Sequence, residues 1–367
     1  MPPVKTAENR CKRRQQAYVM KVGILNDHFE GLPPGYLQRY EEILKFNGIE
    51  CVWLEPSDQD LWQAISELDL FIYQWGHYDG PRHMAGIIIP IVQYEMKIPC
   101  FPNWETSWHY DDKIKQYYLL RQHGFPIIES YIFWEEDEAL RWLKSAQMPV
   151  VFKLKGGAGS SNVILVANRP NAQRLVSRMF GKGLSSGSVI DRNSLRVKYF
   201  NPYKELRRFV GKILTRMRGE YQPLFWQVDK NYALFQKYLP NNSFDTRVSV
   251  IGERAFAFRR FNRNDDFRAS GSGNIDYDTT KIDPRAIDIA FRISQKLNFQ
   301  SMGYDFLINQ TGDLEISEIS YTYVDTAVYK CPGFWDKNLN WHEGHFWPQY
   351  FQLVDALKRP DLMPPQP

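Results

Sequence analysis

Residues 150–166 read VVFKLKGGAGSSNVILV: an apolar strand ending in a lysine, a Gly/Ser turn, then a second apolar strand. This segment narrows the choice of folds more than any other. A strand fixes the lysine in space. The small residues Gly156, Gly157, Gly159, Ser160 and Ser161 let backbone N–H groups close around phosphate oxygens. No Gly-Lys-Ser/Thr follows and the next element reads as a strand rather than a helix, so this is not a Walker A loop. Alone, the segment fits a glycine-rich hairpin without a ligand equally well, and the rest of the chain has to decide.

The 367 residues are 43% hydrophobic and 24% charged, enough for two or three subdomains around a real core. A net charge of +4 is too weak to argue for nucleic acid and suits an anionic small substrate. Cys11, Cys51, Cys100 and Cys331 are far apart and include no CxxC pair, which argues against a zinc site or disulfide scaffold and fits a reducing cytoplasm. The apolar runs at 70–73 and 84–92 are too short to cross a bilayer. The expected location is cytoplasmic, with residues 1–19 a disordered basic lead.

Strand and helix patterns alternate over 20–106, from MKVGILN (20–26) through DLFIYQW (69–75) to IPCFPN (98–103), which reads as a small parallel α/β layer. His77 lies just past a strand end, where such layers tend to bind ligands. SWHYDDKIKQYYLLRQHG (107–124) reads as one helix ended by Gly124. A strand (127–134), a helix (136–146), the lysine strand and a helix near 170–180 follow. Next come ALFQKYL (233–239), a hairpin of DTRVSVIG and RAFAFRRF around Gly252-Glu253, and a helix over about 284–297. MGYDFLI (302–308) and DLEISEIS (313–320) form a hairpin through NQTG, and the last forty residues read as aromatic and irregular.

In chain order, Lys113, Lys153 with the GGAGSS loop, FQKYL (235–239), Asp245-Thr246-Arg247, Phe267-Arg268-Ala269-Ser270, Asp305 and Glu318-Ile319-Ser320 resemble the ATP-grasp superfamily. The closest likeness is to the carboxylate–amine ligases of the ribosomal-protein glutamate ligase and glutathione synthetase type, and it covers about 100–325. The resemblance implies an α+β fold: a pre-ATP-grasp α/β domain (20–106), a central lobe (107–240) with a basic insertion (185–232), a C-terminal lobe with the metal site (241–330), and an aromatic tail (331–367). It implies ATP with Mg²⁺ or Mn²⁺ as cofactors. Lys113 and Lys153 would meet phosphates, and Gly156, Gly157, Gly159, Ser160 and Ser161 would fold over them. Gln236, Lys237, Tyr238 and Leu239 would flank adenine, with Lys237 where relatives carry an acid. Asp245 would hold the ribose, and Asp305, Glu318 and Ser320 the metal, with Ser320 replacing the family's asparagine. Glu315-Ile316-Ser317 is a competing register one triplet earlier. Arg247, Arg268 and Ser270 would stand at the reaction centre, with Ser270 replacing another asparagine.

The residues also carry physical readings of their own. ATP needs cations at more than one phosphate, and Mg²⁺ takes hard oxygen donors, usually one or two carboxylates plus phosphate oxygens. A guanidinium fork matches the oxyanions that form during acyl transfer. Residues 192–220 are basic with interleaved aromatics and read as a solvated amphipathic helix, or alternatively as a dock for an anionic acceptor. The expected activity is ATP-dependent ligation of a carboxylate to an amine through an acyl phosphate. The expected partners are small molecules (an amino acid, peptide or sugar derivative), with no nucleic acid, no transmembrane segment and a homo-oligomer allowed. A small-molecule kinase or a non-catalytic nucleotide sensor are the competing readings.

Overall fold

The computed structural model describes residues 19–26, 32–157, 163–185, 228–263, 267–269 and 271–365. Gly159, Ser160, Ser161, Ser270, the basic lead and most of 185–232 lie outside the described residues.

The first layer is a parallel sheet of β1 (Lys21–Leu25), β2 (Glu50–Leu54), β3 (Leu70–Ile72) and β4 (Cys100–Phe101), in the order β2-β1-β3-β4. Between the strands run α1 (Tyr36–Phe46), α2 (Leu61–Ser66) and α3 (Asp79–Pro90). The near-continuous apolar strands are those of a sheet covered on both faces. Val22, Ile24, Leu70 and Ile72 pack beneath α1, while Leu25, Phe71 and Tyr73 turn to a second core.

Residues 107–124 do not form one helix. A four-residue turn of helix, α4 (Trp104–Ser107), is followed by a break, and α5 spans Lys113–Gln122. The break has a local cause. Asp111 adopts the left-handed conformation (φ 53°), and the Asp112 carboxylate accepts the backbone N–H groups of Ile114 and Lys115 as an N-cap. Lys113 is thereby the first residue of its helix.

The central lobe is an antiparallel sheet, β5-β10-β6-β7, built from β5 (Ser130–Phe133), β6 (Val150–Lys153), β7 (Val163–Val166) and β10 (Ala233–Lys237). The helices α6 (Glu136–Ser145) and α7 (Arg169–Phe180) cover one face. A short pair, β8 (Leu184–Ser185) and β9 (Val228–Asp229), flanks it. Alternation divides β6 cleanly: Val150 and Phe152 enter the core with α6 and α7, while Val151 and Lys153 face the opposite side.

The third sheet has seven strands. Its main path is β15-β14-β11-β12-β16-β17, formed by β11 (Phe244–Ile251), β12 (Arg254–Phe261), β14 (Ser301–Ile308), β15 (Leu314–Ser320), β16 (Gly333–Asp336) and β17 (Trp341–Glu343). The short β13 (Ile275–Asp276) pairs with β12. The helix α8 (Pro284–Leu297) lays Ala286, Ile287, Ala290 and Ile293 onto Val248, Val250, Met302, Tyr304 and Phe306. That core also takes in Phe71, Tyr73 and Trp75, so the first layer and the large sheet share one interior.

The chain end is more ordered than its composition suggested. It contains α9 (Asp325–Tyr329), the strands β16 and β17, and α10 (Pro348–Ala356). Leu353 and Val354 of α10 pack with Tyr36, Tyr40 and Leu44 of α1. Helical spacing is hidden here because the buried positions include the glutamines Gln349 and Gln352 beside Phe351, Leu353 and Val354.

Candidate active site

A cleft opens between the central sheet and the large sheet. It is lined by Val151 and Lys153 of β6, Gln236 and Lys237 of β10 with Tyr238 and Leu239 beyond it, Asp245, the segment Phe267–Ala269, and Asp305, Ser317 and Glu318. The space between these walls is narrow, about 100 Å³.

The floor is a row of charges across the large sheet. Arg247 of β11 faces Asp305 of β14, and Asp305 faces Glu318 of β15. Two residues along, Asp245 faces Arg260 of β12. Asp305 Oδ1 accepts from Arg247 Nε at 2.6 Å and Oδ2 from Arg247 Nη2 at 2.7 Å. Arg260 Nη2 lies 2.8 Å from Asp305 Oδ2 and forks Asp245 with two bonds of 2.7 Å. Against its burial, the two guanidinium groups hold the Asp305 carboxyl far below the usual carboxylate range. Burial pushes Asp245 upward, with Arg260 pulling back and the Asp305 charge adding to the rise.

A β-bulge brings Glu318 opposite Asp305. Phe306 pairs with Ile316 and Asp305 with Glu318, so Ser317 is the extra residue. Glu315 pairs with Leu307 further along and accepts from Asn309 Nδ2 at 2.8 Å. Ser320 pairs with Gly303, and its hydroxyl donates to the Thr322 carbonyl at 2.7 Å.

Two lysines close the cleft. Lys113 Nζ sits 3.2 Å from Glu318 Oε1 and donates to the Gly157 carbonyl at 3.1 Å. Against its burial, Glu318 and Asp111 hold Lys113 above the usual ammonium range. Lys153 forms no ion pair among the described residues, and its Nζ reaches only the Ser317 carbonyl at 3.5 Å. Burial pulls its ammonium down to about 8. An anion supplied from outside would pull it back up.

The start of the glycine loop is pinned by a residue that sequence reading passed over. Gly157 N–H donates to Asp111 Oδ1 at 2.7 Å. Asp111 also meets His77 Nδ1 at 3.4 Å and Arg82 Nη1 at 3.2 Å. Together with Lys113 these groups hold the buried Asp111 carboxyl below its ordinary range. The YDDK run carried the signal: two adjacent acids ahead of a helix leave one free once the other caps it. Gly157 has φ 101°, a region closed to most side chains. Gly157→Ala is expected to destabilise the fold by about 1–2 kcal/mol, read from chemical denaturation.

Of the residues read from sequence, Lys153, Gln236, Lys237, Tyr238, Leu239, Asp245, Arg268, Asp305 and Glu318 line the cleft. Lys113 joins them through Glu318, and Gly156 and Gly157 stand at the loop's start. Arg268 Nη1 donates to the Val163 carbonyl at 3.4 Å. Arg247 is bound to Asp305 rather than standing alone. Arg260 completes the row and was missed. Among the described residues no group of three or more His, Cys, Asp or Glu side chains gathers as a ready metal cage.

No protein-family model matches the chain, and no curated protein matches it by sequence. Solved structures do match. The chain is similar to a biotin carboxylase in complex with β,γ-ATP from Campylobacter jejuni, at 13% identity over 92% of this chain and 71% of that one, with a TM-score of 0.56. It is similar to the ATP-grasp ligase PsnB complexed with a minimal precursor, at 13% identity over 93% and 100% of the two chains, with a TM-score of 0.54. It is also similar to N5-carboxyaminoimidazole synthetase from Staphylococcus aureus complexed with ADP, at 13% identity over 86% and 73%, with a TM-score of 0.53. The chain has the α+β ATP-grasp fold.

Proposed function

We propose that this chain is an ATP-dependent carboxylate–amine ligase. The observation that carries the reading is the convergence of Lys113, Lys153, Asp305 and Glu318 at one end of a cleft whose other wall is the β10 strand and its extension. Both lysines are buried and both would face phosphate oxygens. The sheet neighbours Asp305 and Glu318 offer hard oxygen donors, and a divalent cation would need only these two carboxylates, with the remaining positions filled by phosphate and water. To take it, Glu318 would release Lys113 and Asp305 would share its oxygens with Arg247 and Arg260. A divalent cation held by Asp305 and Glu318 would neutralise phosphate charge.

In the proposed reaction a substrate carboxylate oxygen attacks the γ-phosphorus, and the bond to the ADP oxygen breaks. The amine nitrogen then attacks the acyl carbon, loses a proton, and the bond to phosphate breaks. Arg268 lines the cleft wall and would meet the oxyanions of both steps. Arg247 acts as a positioning residue that orients Asp305. Asp245, buried and paired with Arg260, would hold the ribose. Among the described residues no helix is long and apolar enough to cross a membrane.

The test is phosphate release from MgATP against amino acids, small peptides and uronic or amino sugars, with mass spectrometry of products. A product lighter than its two parents by one water supports the reading. A phosphorylated acceptor without free phosphate makes the protein a kinase, and nucleotide binding without turnover makes it a sensor. Glu318→Ala is expected to lower turnover by about 100-fold or more. Full activity in that variant would sink the site assignment.

A further inference from the structure

A second cavity, of about 340 Å³, lies between the N-terminal turn of α3, the helix α4 and the start of α5. It shares no lining residue with the nucleotide cleft: Lys153 lines the cleft and Lys155 lines the cavity. Its volume falls within the span of small-molecule sites, roughly 300–1,000 Å³. Trp75, Trp104, Trp108 and Tyr110 give it flat apolar walls.

We infer that this cavity binds a carboxylic acid carrying a ring, with the carboxylate held by Lys115 and Lys155 and the ring face lying on the indoles. Charge decides the sign of the ligand. The cavity's two acids are committed within the protein: Asp79 to Arg82, and Asp112 to the N–H groups of Ile114 and Lys115. The lysines are held more loosely, with Asp229 acting on Lys155 only from beyond ion-pair distance. Lys115 Nζ donates to the Trp108 carbonyl at 3.2 Å, and Lys155 Nζ lies 5.8 Å from the centre of the Tyr232 ring; among the described residues neither forms an ion pair. Cations beside aromatic faces suit an anion whose body can stack.

The cavity wall is wired to the transfer centre. Tyr110 accepts from the Thr322 hydroxyl at 2.7 Å, and Thr322 lies just past β15. Arg82 holds Asp111, and Asp111 holds the Gly157 N–H. An occupant touching Arg82 is therefore linked to the Gly157 N–H through Arg82 and Asp111, and one touching Tyr110 is linked through it to Thr322, two residues past the strand that carries Glu318. That it is the carboxylate substrate rests on the ligase reading; that it binds does not.

Binding is tested on the full chain without nucleotide, by tryptophan fluorescence excited at wavelengths that spare tyrosine. Two acids are titrated, glucuronate and N-acetylphenylalanine, beside their neutral amides. One acid is expected to give a saturable change and its amide none, and the responding acid tells whether the ring is a sugar or an aromatic one. Lys155→Ala and the exposed Lys115→Ala are each expected to weaken that acid about tenfold. No saturable response to either acid, or an affinity unchanged from the parent in both variants, would overturn the inference. Acid binding without any ATP turnover would spare the cavity and defeat the ligase reading. Turnover of a ring acid that is unchanged in the Lys115→Ala/Lys155→Ala double variant would do the reverse.

Discussion

Lys153→Met is expected to abolish ATP-dependent phosphate release and at the same time to make the protein more stable at neutral pH. Both effects come from one buried ammonium. Lys153 is 7% exposed, and among the described residues it makes no ion pair. Burial lowers it from 10.5 to about 8. Between those values the unfolded chain holds a proton that the folded chain has released. Stability therefore rises with pH through that window, and the penalty is fully present below about pH 8. At roughly 1.4 kcal/mol per unit, the penalty is about 3 kcal/mol at most. Methionine keeps the apolar stem and removes the charge, so urea unfolding at pH 7 should show the variant ahead by up to that amount, with the gap closing toward pH 10.5. Turnover should fall by about 100-fold or more, because the charge that destabilises the fold is the one proposed to meet phosphate. A variant less stable than the parent at pH 7 would mean that Lys153 is already paid for inside the protein, and that its role as a phosphate partner is wrong.

Much of this arrangement was legible because sheet register follows simple arithmetic. A hairpin turning at Gly252-Glu253 pairs Ile251 with Arg254, so Asp245 must face Arg260. The turn position alone therefore places Arg260 beside Asp245. The lysine strand was equally plain: alternation places Val150 and Phe152 on one side and Lys153 on the other. The bulge at Ser317 left a trace too. Ile316 and Ile319 both point into the core although they are three positions apart, an odd spacing that a regular strand cannot place on one face.

Other parts were not legible, for physical reasons. Asp111 pins the glycine loop from 46 residues away, and no local pattern announces such a contact. Its left-handed backbone also broke a stretch whose periodicity read as one helix. The second cavity is assembled from α3, α4, α5 and Lys155, two residues past the end of β6, which meet only in the folded chain. The docking of α10 against α1 joins the two ends of the sequence through apolar contacts that aromatic composition alone could not assign.

Asp305→Asn is expected to cost about 3–5 kcal/mol of stability, the loss typical of removing one partner from a buried ion pair. Three short contacts converge on this carboxylate, two from Arg247 and one from Arg260. The arginines would not suffer equally. Arg260 keeps its two bonds to Asp245, whereas Arg247 loses the only carboxylate it meets among the described residues. The cost should therefore reside in Arg247, and a double change of Arg247→Met with Asp305→Leu should recover much of it, since an apolar pair leaves no charge stranded. pH supplies a second check. Asp305 is held well below its unfolded value, so its stabilisation is present above the unfolded carboxylate range and is lost as pH falls toward the folded value. The deficit of Asp305→Asn should accordingly shrink in acid. A deficit that stays constant from pH 7 to pH 3 would mean that packing, not charge, is what the variant removes. The same variant should lose metal-dependent turnover, but the double variant should remain inactive even as its stability returns. That split would separate the carboxylate's role as an anchor for arginine from its proposed role toward a divalent cation.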